Sequence, residues 1–397
     1  MASATLQGYL DCSATTPLAP EVASAMAAVQ ASAWANPSSL HGPGLAAAET
    51  LERSRQRLAE ALGCSGQLCF TSGGTESIHL ALLGAAAHLW DGTGSAPRCL
   101  ISAVEHPATT AAAERLGDLG WQISRVPVNR EGLLELDQLE TLLKPPTRLV
   151  SLIWGQSEVG SLMPLAAIAQ RCQQAGVLLH VDAVQVLGQL PFDFDALGVD
   201  LMSLAAHKLR GPRGIGLLLA RAGVPLKPLF GGGGQEGGWR SGTEPVALAA
   251  GFAEAVERRL ALLEAAPRAM AGLRDGLLTS LLEQPGLALV GPDPRRSPSH
   301  RLPHHISLLV SGQDGRPLPG RALVKQLSKE GYAISSGSAC QSHGDGRSPV
   351  LSAMGYDPLT AASGIRITLG DWHRPDDLLA LPEVLSRAIR VSRPELR

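Results

Sequence analysis

Residues 177–220 read VLLHVDAVQVLGQLPFDFDALGVDLMSLAAHKLRGPRGIGLLLA, and they hold three apolar runs: Val177–Val181, Val199–Leu204 and Ile215–Ala220. The runs are continuously apolar rather than alternating, which is how strands read when a parallel sheet is covered on both faces. Upstream, Leu68–Ser72, Arg98–Ala103, Trp121–Val128 and Arg148–Trp154 are further strand candidates, several of them continuously apolar as in LVSLIW. Helical stretches such as ETLERSRQRLAEALG and LAAIAQRCQQAG fall between them, with Gly63 and Gly176 placed to cap helix ends. Strands alternating with helices predict an α/β fold with crossover connections.

Beyond GGGGQEGG (Gly231–Gly238) the texture changes. Pro245 to about Glu283 reads as one or two long Ala/Leu-rich helices, and the Pro-, Arg- and Ser-rich Gly291–Pro303 reads as a surface loop. A strand (His305–Val310), a helix (Arg321–Glu330), a second strand (Ile365–Leu369) and a helix from Pro375 follow. This predicts a smaller α+β domain with its boundary near residue 265.

Composition narrows the function. The chain has 397 residues, 34 Lys+Arg against 36 Asp+Glu, and a net charge of −2, without the basic stripe of a nucleic-acid surface. Hydrophobic residues make up 45%, yet no apolar run reaches the ~20 residues of a membrane helix. Six scattered cysteines (Cys12, Cys64, Cys69, Cys99, Cys172, Cys340) contain no CxxC pair, so neither a disulfide framework nor a metal site is expected. The start, MASATLQGYLD, shows no secretory pattern, and a cytoplasmic setting is the expectation.

Three features carry chemistry. Lys208 follows an apolar strand and precedes a Gly/Pro-rich turn. Most lysines are simply solvated, but open α/β sheets bind ligands at such strand ends, where a lysine can form a Schiff base with a carbonyl cofactor. Asp182 ends the run LLHVD; it is either a helix N-cap or a carboxylate holding a protonated ring nitrogen. Gln185 projects to the same side if a helical turn begins there. Together Lys208 and Asp182 meet the demands of pyridoxal phosphate. In FTSGGTES, Gly73 and Gly74 open a helix after a strand, an arrangement suited to a phosphate though common elsewhere.

The motifs YLDCSATTPLAPEV, NPSSLHGPG, FTSGGTES, SAVEHPAT, HVDAVQVLG, HKLRGPRGIG, GGGQEGGWRSGT, SSGSAC and GIRITLG stand in this order. In that series the chain resembles the cysteine desulfurases, the NifS/IscS-like members of the class V aminotransferases. The resemblance implies a pyridoxal-phosphate-dependent transferase of the aspartate aminotransferase type (fold type I) and a homodimer. It divides the chain into residues 1–20, an N-terminal segment packing with the small domain, 21–265, the cofactor-binding large domain, and 266–397, the small domain carrying the Cys340 loop.

By the same resemblance Lys208 binds the cofactor, Asp182 pairs with its pyridinium nitrogen, and Gln185 contacts its phenolic oxygen. His106 stacks on the ring and assists proton transfer. Gly74, Thr75 and His207 hold the phosphate, and Thr243 completes that site from the neighbouring subunit. Asn36 and Arg366 hold the substrate carboxylate. Cys340, in a small and polar stretch, is the thiol that takes the sulfur of L-cysteine as a persulfide, with L-alanine as product. Iron–sulfur scaffolds or other sulfur carriers are the expected acceptors. Cys64, Cys69, Cys99 and Cys172 read as structural, and Cys12 as a bystander. Three positions depart from the family pattern: Ser157 replaces the asparagine near the phenolic oxygen, His79 replaces an asparagine, and Ala205 replaces a phosphate-binding serine. The rival activities are selenocysteine lyase, cysteine/cystine C–S lyase, an aminotransferase, or a non-catalytic sulfur-delivery scaffold.

Overall fold

A computed structural model describes residues 6–266, 268–337 and 347–392. A seven-stranded sheet occupies its centre, in the order β1-β7-β6-β5-β4-β2-β3. The strands are β1 (Gln67–Thr71), β2 (Arg98–Ser102), β3 (Gln122–Val126), β4 (Thr147–Ile153), β5 (Leu178–Asp182), β6 (Leu201–Ala205) and β7 (Gly216–Ala220). Every run read as a strand in this region is one. Side chains alternate between two apolar layers: Leu217 and Leu219 face one, Leu218 and Ala220 the other. That period of two, with both faces covered, accounts for the uninterrupted apolar runs.

One feature departs from an all-parallel reading. β3, β2, β4, β5 and β6 are parallel, but β7 is antiparallel to both β6 and β1. Residues 206–215 connect β6 to β7, a link too short for the dozen or more residues of a helical crossover, so the chain doubles back. Lys208 sits in this link, in the short 3-10 turn Ala206–Lys208.

A four-stranded antiparallel sheet follows, made of β8 (Leu287–Leu289), β9 (His305–Val310), β10 (Ser335–Ser336) and β11 (Gly364–Thr368). Leu277, Leu278 and Leu281 of the helix Ala269–Leu282 pack on it with Ile306, Leu308 and Ile367. The long helical stretch is therefore two helices; the other, Val246–Ala265, packs on the large sheet's core. The N-terminal segment joins the small sheet, where Leu10 N–H donates to Ala333 O (2.8 Å) and Thr368 N–H to Leu10 O (2.8 Å).

Residues 291–303 are less superficial than their composition indicates. Arg301 is fully buried and donates to the carbonyls of Pro292 and Val290. Val350, Leu351 and Met354 pack in the large core although they lie far beyond residue 265. Gly63 (φ 61°) and Gly176 (φ 64°) cap their helices in the left-handed conformation that glycine adopts without steric cost. Among the described residues no helix is long and apolar enough to cross a membrane.

Beneath the strand ends runs a buried polar chain. His180 Nδ1 lies 2.8 Å from Ser151 Oγ and His180 Nε2 lies 2.9 Å from Ser203 Oγ, which is 2.9 Å from Ser77 Oγ. These contacts join β4, β5, β6 and the helix Gly74–Leu89. Burial pushes the His180 pKa down to about 3. The folded chain then holds His180 neutral while the unfolded chain protonates it below about pH 6.5. Its contribution is present above that pH and is lost as pH falls toward 3. His180→Ala is expected to cost about 2–4 kcal/mol at pH 7 in urea unfolding. The gap to the native chain should narrow by about 2 kcal/mol at pH 5; an unchanged gap would contradict a neutral buried imidazole.

Candidate active site

A cavity of about 490 Å³ opens at the carboxyl ends of β4, β5 and β6, and Lys208, Asp182, His106, His207, Gln185 and Arg366 all line it. Asp182 is the last residue of β5, in register with Ile153 and Ser203 on its neighbours. Its Oδ1 accepts the Val184 N–H at 3.0 Å. Burial pushes the Asp182 pKa up, against the opposing pull of His106 and Lys208. A carboxylate in this position is stabilised by a cation placed against it.

His106 caps the helix Pro107–Asp118, its Nδ1 accepting the Ala108 N–H at 3.1 Å. The proton of the neutral ring therefore sits on Nε2. Burial lowers the His106 pKa, with Asp182 opposing and Lys208 adding to the effect. Lys208 Nζ donates to the carbonyls of Ser13 (2.6 Å) and Ala14 (2.8 Å). Gln185 Nε2 donates to the same Ser13 carbonyl at 2.9 Å.

The opposite end of the cavity suits an anion. Gly74 and Thr75 open the helix Gly74–Leu89, and its N-cap, Gly73, makes no side-chain cap bond. The first N–H groups of a helix have no acceptor within it and carry the positive end of its dipole. A Cβ on Gly73 would meet nothing within 4 Å, whereas a Cβ on Gly216 would come within 2.5 Å of the Gly73 carbonyl carbon. Glycine at 216 thus lets β7 pass directly behind this turn, leaving its front open. His207 lies beside it, its Nδ1 3.1 Å from Thr15 Oγ1. Its pKa is pushed down to about 4 by burial, then by Lys208 and Arg213.

The residues fit pyridoxal phosphate: an amine at Lys208, a buried carboxylate at Asp182, and an open, uncapped helix N-terminus for the phosphate. Arg366, on β11, brings the small sheet to the same cavity. Its Nη1 donates to Ser157 O at 3.0 Å, its Nη2 pairs with Asp11 Oδ1 at 2.6 Å, and its Nε is buried without a partner. The fork expected to meet a substrate carboxylate is already partly engaged by Asp11.

Other expected site residues are placed differently. Ser157 and Ala205 line the cavity, while His79 is half-buried and does not line it, its Nδ1 2.9 Å from Thr75 O. Asn36 and Thr243 line a separate cavity of about 740 Å³ beside Trp34. Cys340 lies outside the described residues; Ser335, opposite Arg366 in the β10–β11 pairing, lines the Lys208 cavity. Cys12, Cys64, Cys69, Cys99 and Cys172 are buried free thiols. Burial pushes Cys64 up to about 11 and Cys99 and Cys172 to about 12, which makes them poor nucleophiles.

Several contributors escaped the sequence reading. Ser13 acts through its backbone carbonyl, which no residue type announces. Glu105 Oε1 accepts the Ile153 N–H at 2.9 Å and the Ser102 hydroxyl, and burial raises its pKa to about 8. The only signal for Glu105 was an acid adjoining an apolar run, directly before His106.

A family model described as aminotransferase class-V matches residues 8–381. The chain is 36% identical over 383 residues to the cysteine desulfurase IscS of Dictyoglomus turgidum, covering 96% of this chain and 94% of that protein. It is 34% identical over 373 residues to the cysteine desulfurase NifS of Azotobacter vinelandii, covering 93% and 89%. A solved structure titled NifS-like protein superposes with a TM-score of 0.86 at 32% identity, covering 96% of this chain and 98% of that one. Another, a NifS-like protein from Rickettsia africae, gives 0.83 at 28% identity, covering 96% and 98%. The chain belongs to the class-V aminotransferase family, among its pyridoxal-phosphate-dependent cysteine desulfurases.

Proposed function

We propose that this enzyme takes the sulfur of L-cysteine, releases L-alanine, and holds the sulfur as a persulfide on Cys340 for delivery to an acceptor protein in the cytoplasm. An iron–sulfur scaffold or another sulfur carrier fits that role. The gathering of Lys208, Asp182, His106 and Arg366 around one cavity carries this reading. Pyridoxal phosphate, when bound, supplies an aldehyde and an electron-withdrawing ring.

The chain's own groups do the rest. Asp182, deep at the end of β5, holds a proton on the ring nitrogen by pairing with its charge. His207 and the N-terminus of the helix Gly74–Leu89 hold the phosphate. Arg366 orients the substrate carboxylate, and His106 moves a proton at Nε2. Lys208 is kept aimed into the cavity by two backbone carbonyls. Ser157 and Ala205 supply less hydrogen bonding than the asparagine and serine of the family pattern, a loss of about 1 kcal/mol each in cofactor affinity.

In the sulfur step the carbon–sulfur bond of cysteine breaks and a sulfur–sulfur bond forms to Cys340. The substrate thiol hydrogen is balanced by the new hydrogen on the alanine methyl, and the Cys340 thiol becomes S–SH. No outside oxidant or reductant is required. The five described cysteines are buried, which leaves Cys340 as the thiol suited to the task.

Cys340→Ser is expected to bind the cofactor normally and to show the same spectral response to cysteine. It should lose persulfide and at least about 100-fold in alanine production. Cys172→Ser should retain both. Persulfide on another cysteine, read by mass spectrometry, would contradict the assignment.

We also infer a homodimer with shared sites. Trp34, 68% exposed, and Thr243 line a cavity that a second copy would complete. Lys208→Ala and Thr243→Ala homodimers should each be weak or inactive. Mixed under subunit exchange, they should regain up to about a quarter of native activity per subunit, because some hybrid sites carry both native residues. No recovery alongside demonstrated exchange would contradict shared sites.

A further inference from the structure

We propose that Asp11 is a specificity-determining residue that competes with the substrate: its carboxylate holds the Arg366 fork until an α-carboxylate arrives and displaces it. The inference rests on the reading that Arg366 holds the substrate carboxylate, and its experiment separates the two.

Arg366 is aimed without help from Asp11. It lies inside β11, in register with Ser307 of β9. Its Nη1 donates to the Ser157 carbonyl at 3.0 Å, and that carbonyl is fixed in turn by His305 Nε2 at 3.1 Å. Only 8% of the Arg366 side chain is exposed, against 21% for Asp11. A carboxylate whose task was to orient the guanidinium would suit the side away from the ligand. Asp11 instead lines the same cavity as Arg366, Lys208 and Asp182, where a substrate must sit.

The contact itself is a single bond, from Arg366 Nη2 to Asp11 Oδ1 at 2.6 Å, while Arg366 Nε is buried without a partner. A guanidinium grips a carboxylate with two parallel bonds, along either its Nε/Nη2 edge or its Nη1/Nη2 edge. Both edges include Nη2, the nitrogen that Asp11 holds. A substrate carboxylate seeking the full fork therefore meets another carboxylate on the shared nitrogen. Two like charges on one guanidinium repel. The incoming group offers a second bond that Asp11 does not make, which is what allows it to prevail.

Asp11 can yield without disturbing the amine. The segment around it is anchored on both sides: Thr368 N–H donates to Leu10 O at 2.8 Å, and Ser13 N–H to Thr368 Oγ1 at 3.0 Å. The Asp11 carbonyl itself accepts the Ala14 N–H at 3.0 Å. Rotation of one partly exposed side chain is enough, and the Ser13 and Ala14 carbonyls that hold Lys208 keep their places. When the reaction ends, the returning Asp11 carboxylate competes with that of L-alanine and favours its release.

The test uses full-length enzyme with cofactor bound and two ligands that lack sulfur: L-alanine, and ethylamine, which is L-alanine without its carboxylate. Dissociation constants are read from the change in cofactor absorbance on titration, which needs no turnover. Asp11→Asn keeps the shape of the side chain and removes its charge. It should bind L-alanine at least about fivefold more tightly than native enzyme, with ethylamine affinity within about twofold. Asp11→Ala should do the same. A crystal structure of the native enzyme with L-alanine needs no variant to fold. It should place the ligand carboxylate on Arg366, with Asp11 Oδ1 more than about 4 Å from Nη2.

L-Alanine affinity unchanged or weaker in the Asp11 variants, an equal gain for ethylamine, or an Asp11–Arg366 pair retained beside bound L-alanine would overturn the proposal. Arg366→Ala should weaken L-alanine binding at least about tenfold and leave ethylamine within about twofold of native. Native L-alanine affinity in Arg366→Ala would defeat the underlying reading instead, since the carboxylate would then be held elsewhere.

Discussion

Asp182 ends the central strand of the large sheet with a carboxylate removed from water, and much of the site can be understood as the answer to that charge. A carboxylate at such a depth costs several kcal/mol unless a positive group faces it. His106 and Lys208 lie close enough to pull its pKa back down. Burial disfavours a charge on His106, however, and Lys208 is tied to the Ser13 and Ala14 carbonyls. A protonated ring nitrogen of a bound cofactor would complete the balance, so a strand end that would be destabilising in an empty fold suits a cofactor carrying such a charge.

Two chain reversals bring the partners to Asp182. The short link between β6 and β7 forces the antiparallel turn that carries His207 and Lys208. The N-terminal segment leaves the small sheet at Asp11, passes the Ser13 carbonyl to both Lys208 and Gln185, and is fastened again where Thr16 N–H donates to His207 O at 2.9 Å. Arg366 reaches the same cavity from β11 and pairs with Asp11. The small sheet, the N-terminal segment and the Lys208 link are therefore connected through a few hydrogen bonds around the cavity. Displacing Ser13 would disturb the amine, the glutamine and, through His304 Nε2 at 3.3 Å from its hydroxyl, the start of β9.

The large sheet was legible because most of its strands are apolar runs, although β3 mixes apolar and polar residues; Lys208 and Asp182 were legible because they stand at the ends of such runs, whereas His106 and His207 were assigned through family resemblance. Arg366 stood out as a lone charge within GIRITLG. The antiparallel β7 was not, since its composition matches that of a parallel strand and only the length of the preceding link distinguishes the two. β10 has two residues and the helices Pro349–Ala353 and Pro358–Ala362 have five each, too few to show a period. Ser13 acts through its backbone, and Glu105, Glu158 and Arg301 are charged residues whose burial depends on contacts distant in sequence. Asn36 and Thr243 were assigned through family resemblance, and in one chain they line a cavity apart from Lys208.

The central claim is that Lys208 is the amine this cavity presents to pyridoxal phosphate. Borohydride reduction of the cofactor-loaded enzyme, followed by peptide mass spectrometry, tests it most directly. A pyridoxyl group on Lys208 alone, absent after prior addition of excess L-cysteine, is the predicted result. Stoichiometric labelling at another lysine, such as Lys227, with Lys208 unmodified, would contradict the account.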